Sequence, residues 1–131
     1  MTMRKEFVRI IPLVMWLWFI FFMSSQTVEY LSMPPFPGFD KVAHMVVYGV
    51  MGALVIYAFP DRLRSERPLT VVMIGVLFAL VYGISDEYHQ SFVMGRSSEV
   101  LDVVADAVGA LMAGGLWLVL IKQKQQDTHR T

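Results

Sequence analysis

Apolar residues in this chain run together in four long blocks, at residues 7–23, 42–59, 69–84 and 100–121, separated by short polar segments. At about 1.5 Å per residue, a helix of roughly 17 to 22 residues crosses most or all of a hydrocarbon layer about 30 Å thick. Each block is therefore expected to form a transmembrane helix, over about 7–24, 42–59, 69–88 and 99–121, the third continuing past Asp86. The expected architecture is an all-α membrane protein, with the four helices in one compact bundle and one domain spanning residues 1–131.

The first block follows Arg4, Lys5 and Arg9 and precedes Ser24 and Ser25, a layout shared with cleavable secretory signals. Its apolar run exceeds the usual core of about 7 to 15 residues, and Phe22 and Met23 fit a small-residue cleavage site badly, so it is expected to stay attached as the first helix. Basic residues then orient the bundle. Arg4, Lys5 and Arg9 precede helix one, Arg62, Arg64 and Arg67 lie between helices two and three, and Lys122, Lys124 and Arg130 follow helix four. Lysine and arginine concentrate in cytoplasmic loops, so both termini are expected on the cytoplasmic side of the cell (inner) membrane. The two remaining loops face outward, and the first carries Met33-Pro34-Pro35-Phe36-Pro37-Gly38, expected to be a stiff interfacial connector.

Composition sharpens this picture. Of 131 residues, 56% are hydrophobic and only 17% charged, against roughly 25% in soluble domains, so the chain makes a poor water-soluble globule. Eleven bases balance eleven acids, which argues against a nucleic-acid binder and leaves membrane lipids as the expected partners. The absence of cysteine removes disulfides, thiolate metal sites and cysteine nucleophiles.

The candidate chemistry gathers where the helices meet the outer face. Asp40, His44 and Tyr48 recur every fourth residue and share one face of helix two, a face turned toward other helices because ionisable groups are expensive against lipid. Asp40 is either a helix N-cap or a site residue. His44, inside a membrane helix, is a candidate general acid or base. On helix three, Tyr82, Asp86 and Gln90 form one stripe flanked by Glu87; the two adjacent carboxylates are either solvated at the interface or functional. On helix four, Asp102, Asp106 and Gly109 share a face, with Ser98 a plausible N-cap. Asp106 lies beyond the reach of the helix dipole and needs a partner, while Ala105, Gly109 and Ala113 permit a neighbouring helix to come close. Arg96, in the turn Met94-Gly95-Arg96-Ser97, either bridges to Asp102 or Glu87 or grips a ligand phosphate or carboxylate with two prongs.

Taken in order, Ser24-Ser25-Gln26, Asp40-Lys41 with His44 and Tyr48, Gly83 with Asp86-Glu87 and Gln90, Gly95-Arg96, and Asp102 with Gly109 make the chain resemble the VanZ-like family over nearly its whole length. These small membrane proteins are associated with resistance to the glycopeptide antibiotic teicoplanin. The resemblance implies a cell-envelope role and supplies no reaction. Asp106 stands where the family pattern usually has asparagine, and His89 where an apolar residue is expected.

Three functional readings follow. The first is a binding or protective site for an anionic lipid-linked envelope precursor, or for a glycopeptide antibiotic resembling one. Here Lys41, His44 and Arg96 meet the headgroup, and Tyr48, Gln90, Asp102 and Asp106 complete the ligand-binding set. The second is a hydrolase or transferase in which His44 is oriented by Asp40, Asp86 or Glu87. The third is a structural or assembly subunit. No His-Glu-x-x-His or other recognised catalytic motif occurs, so the residues leave open whether the chain is an enzyme. No cofactor is expected and no metal is assigned; a metal variant of the second reading would use Asp86, His89, Asp102 and Asp106.

Overall fold

A computed structural model describes residues 2–27 and 37–128, with side chains from residue 7 onward. The connector at residues 33–36, Arg130 and the side chains of Arg4 and Lys5 lie outside the described set. Its long helices are α1 (Thr2–Ser24), α2 (Phe39–Ala58), α4 (Pro68–Gln90) and α5 (Val100–Thr128), and the described residues contain no strand. All four are long and apolar enough to cross a membrane, which makes this a multi-pass membrane protein.

The helix ends have local causes. Gly38 adopts a left-handed conformation (φ 83°) that turns the chain into α2, so the helix begins at Phe39 and Asp40 sits inside its first turn instead of capping it. Pro68 opens α4 at the position where its missing N–H costs nothing. Past the apolar block, Lys122, Gln123, Lys124, Gln125 and Gln126 are good helix formers, and they carry α5 on to Thr128. Between α2 and α4 lies α3 (Asp61–Glu66), a six-residue helix that hydropathy does not mark because nearly all of its residues are polar.

α1 and α4 run one way and α2 and α5 the other, which gathers the ends bearing Ser24, Asp40, Gln90 and Val100 at one pole. The tightest contact is between the parallel helices α2 and α5. A Cβ on Gly49 would stand 3.2 Å from the Gly109 carbonyl oxygen, and one on Gly109 would overlap the Met45 backbone, at 2.8 Å from its carbonyl carbon. Such close approach is what holds helices together where lipid removes the hydrophobic contrast between them. Tyr48, Met51, Val55, Ala79 and Ala110 form the buried core beside it, with Ile20 of α1. α1 is otherwise peripheral. It is tied on by two aromatic donors, Trp16 Nε1 to the Val47 carbonyl at 3.0 Å and Tyr82 hydroxyl to the Leu17 carbonyl at 2.9 Å.

The opposite pole carries the bases. Arg9 of α1 bonds Asp61 of α3 at 2.7 Å and lies over the Tyr57 ring, and Arg64 also pairs with Asp61. Arg9 first, then Arg64, holds the Asp61 carboxyl down at about 2.

A polar centre at one pole of the bundle

Two layers of polar side chains fill the pole where α1 and α4 end and α2 and α5 begin. In the outer layer the Lys41 ammonium touches Asp40 at 2.7 Å, Glu99 at 2.6 Å and Asp102 at 2.7 Å. One cation thus ties the first turn of α2 to the first turn of α5. Three carboxylates thus surround the ammonium expected to meet an anionic headgroup.

In the inner layer His44 Nδ1 lies 2.8 Å from Asp106 Oδ1. Asp106 is fully buried, and its other oxygen, Oδ2, has no hydrogen-bond partner. It fits because residue 83 is glycine: a Cβ there would overlap Asp106 Oδ2 and stand 3.3 Å from Cγ. The contact engages His44 through Nδ1 and leaves Nε2 outside it. The residue orienting His44 is therefore Asp106, not Asp40, Asp86 or Glu87. Each of those three is engaged elsewhere.

Asp86 Oδ2 accepts from the Tyr48 hydroxyl at 3.0 Å and from Gln90 Nε2 at 3.2 Å. Glu87 Oε2 accepts the backbone N–H of Glu99 at 2.8 Å, so a side chain of α4 secures the start of α5. Ser98 does not act as an N-cap, because α5 begins two residues later, at Val100. Asp86, Glu87, Asp102 and Asp106 are all buried, and burial at this cost calls for specific partners.

Arg96 departs from both expectations of a salt bridge. Gly95, with φ 79°, turns the chain back over α1, where Arg96 Nη2 donates to the Met23 carbonyl at 2.8 Å and Nε to the Gln26 carbonyl at 3.1 Å. Met23 lies in the last turn of α1, where its carbonyl also accepts the Gln26 N–H at 3.2 Å, and Gln26 follows just past the helix end, so both carbonyls stand at the negative end of the α1 dipole. Among the described residues no carboxylate pairs with Arg96. His89 points to α1 as well, with Nε2 3.1 Å from Ser25 Oγ and its ring against Phe21. The set Asp86, His89, Asp102 and Asp106 is accordingly not brought together as a metal site.

Beside the inner layer lies a cavity of about 280 Å³ between α1, α2, α4 and the Arg96 turn. Phe19, Ile20, Met23, Phe39, Ala43 and Val47 give it apolar walls, while Ser24, His44, Tyr48, Asp86, Gln90 and Arg96 give it a polar side. Of the residues singled out from sequence, five line it (His44, Tyr48, Asp86, Gln90 and Arg96), and Asp40, Lys41, Glu87, Asp102 and Asp106 support it from outside. Ser24 was not singled out as a site residue. It is buried with a partnerless hydroxyl, and its sequence signal was a serine pair directly following an apolar helix.

The VanZ/LLP1 family profile matches residues 9–122. An uncharacterized protein of Schizosaccharomyces pombe is 30% identical over 79 residues, which is 60% of this chain and 46% of the yeast protein, so the match spans under half of that relative's length. No solved structure matches.

Proposed function

The chain belongs to the VanZ/LLP1 family, and from that premise we propose that it binds an anionic, lipid-linked cell-envelope precursor at the outer face of the cytoplasmic membrane. The observation carrying this reading is the two-sided cavity. Its apolar walls suit a hydrocarbon chain, and its polar side presents Arg96, a guanidinium with no carboxylate partner among the described residues. The carbonyls of Met23 and Gln26 at the end of α1 fix the guanidinium and leave its remaining N–H donors to grip a phosphate. The basic pole of the bundle supports the orientation that puts this cavity outward. An amphiphilic glycopeptide antibiotic is a second occupant of the same chemistry, and tolerance to such a drug would follow from its capture there.

Titrating the full chain in detergent with a polyprenyl phosphate and with the polyprenyl alcohol of equal length tests this. Hydrogen bonds to charged groups contribute about 1.5 to 3 kcal/mol, so the phosphate should bind about tenfold to a hundredfold more tightly than the alcohol, and Arg96→Ala should abolish the difference. Equal binding of phosphate and alcohol by the wild type would sink the proposal.

A second reading has its own observation. His44, held by a buried aspartate and facing the cavity, has the arrangement of a general base, as a hydrolase or transferase requires. Under this reading His44→Gln keeps affinity for the phosphate and stops its turnover, read as phosphate release or headgroup transfer.

A further inference from the structure

Four buried carboxylates stand at this pole, and the cations among them are few. Lys41 is shared among Asp40, Glu99 and Asp102, and Arg96 is turned away to α1. Three carboxylate oxygens remain buried without a hydrogen bond at the junction of α2, α4 and α5: Glu87 Oε1, on a residue 4% exposed, Asp102 Oδ1, on a residue 5% exposed, and Asp106 Oδ2 behind His44. Lys41 stands at 2.7 Å from the second, as an ion pair without a directed hydrogen bond. A buried carboxylate oxygen without a hydrogen bond is costly, as at Glu87 Oε1, and a cation is a natural remedy.

One ligand atom each from His44, Glu87 and Asp102 lies within 4.8 Å of the others. An ion centred in even the widest such triangle would stand about 2.8 Å from each atom, so inward movements of about 0.7 Å would give bond lengths near 2.1 Å. Both ends of the set are already braced as metal ligands usually are. Asp106 holds His44 through Nδ1, which reserves Nε2 for a metal, and the Glu99 N–H holds Glu87 through Oε2. Asp106 stands outside the set and cannot be replaced by Asp40, which sits in the outer layer with Lys41.

We propose that His44, Glu87 and Asp102 bind one first-row divalent cation, with Asp106 as the positioning residue behind His44. One imidazole and two carboxylates suit Mn²⁺ or Zn²⁺ better than Ca²⁺ or Mg²⁺, which take oxygen alone. Three protein ligands leave a position open to water or to an anionic group in the neighbouring cavity. The metal site does not depend on what fills that cavity.

The test uses the full chain in detergent, stripped with a chelator and titrated with Mn²⁺, with free Mn²⁺ followed by electron paramagnetic resonance. One Mn²⁺ should bind per chain and be displaced by Zn²⁺. The bound ion should show magnetic coupling to an imidazole nitrogen, a readout that needs no variant. Glu87→Gln should weaken binding by about tenfold or more, and Asp106→Asn by about 10- to 100-fold. Arg96→Ala, which lies outside the set, should leave it unchanged and so separates this site from the lipid-binding proposal. Failure of the wild type to take up Mn²⁺ saturably, bound Mn²⁺ without a nitrogen ligand, or undiminished binding in folded Glu87→Gln would each overturn the proposal.

Discussion

Asp106 shows what a single position demands of its neighbours. It is buried without residual exposure, and its carboxylate fits only because Gly83 on α4 has no side chain to fill the same space. Gly83→Ala should therefore destabilise the chain by about 1 to 3 kcal/mol, the usual cost of overpacking. In Asp106→Ala the space is vacated, so adding Gly83→Ala to it should cost less than it does alone. A double-mutant cycle of denaturant unfolding in detergent reads this as a coupling energy, and strict additivity would contradict the contact. Residue types at this pole were legible in the sequence, since His44, Asp86, Glu87, Asp102 and Asp106 all stood out as ionisable groups in apolar surroundings. Their pairing was not. Spacing along one helix says which residues share a face but not which helices meet, so Asp40, Asp86 or Glu87 was expected to orient His44, whereas its partner is Asp106.

At the scale of the elements, that pairing has a simple origin. α2 and α5 start at the same pole and run parallel, and His44 and Asp106 sit at nearly equal depth, five residues past Phe39 and six past Val100. The four spans were legible because hydropathy over a membrane's thickness is a strong signal. α3 was not, being six mostly polar residues with no apolar run to announce them. The α2–α5 contact rests on Gly109, where any side chain would meet the Met45 backbone. Gly109→Val should lower stability by at least about 2 kcal/mol, while Gly115→Ala, whose Cβ would meet nothing within 4 Å, should be neutral or slightly stabilising. At the basic pole, Asp61 links α1 to α3 through Arg9. Its carboxyl is depressed from an ordinary 3.8 to about 2, so its contribution is complete above the ordinary value and is lost as pH falls through about 2. The thermal midpoints of wild type and Asp61→Asn should differ modestly near neutrality, converge as pH falls from 3.8 toward about 2, and differ less in high salt because the pair is exposed. A difference that grows on acidification would refute this assignment.

Across the whole molecule, the four helices separate into a basic pole tied by Arg9, Asp61 and Arg64 and a polar pole built around Lys41, His44 and four buried carboxylates. The core between them keeps the polar centre confined to one end of the bundle, next to a cavity that α1 lines with Phe19, Ile20, Met23 and Ser24. That layout is suited to an amphiphile approaching from one leaflet, head against Arg96 and chain along α1 and α2. The most direct measurement is native mass spectrometry of the chain extracted with its own lipids, comparing wild type with Arg96→Ala at matched thermal stability. The account predicts that wild type carries a phosphorylated isoprenoid and that Arg96→Ala loses it; bulk phospholipid alone on both proteins would contradict it.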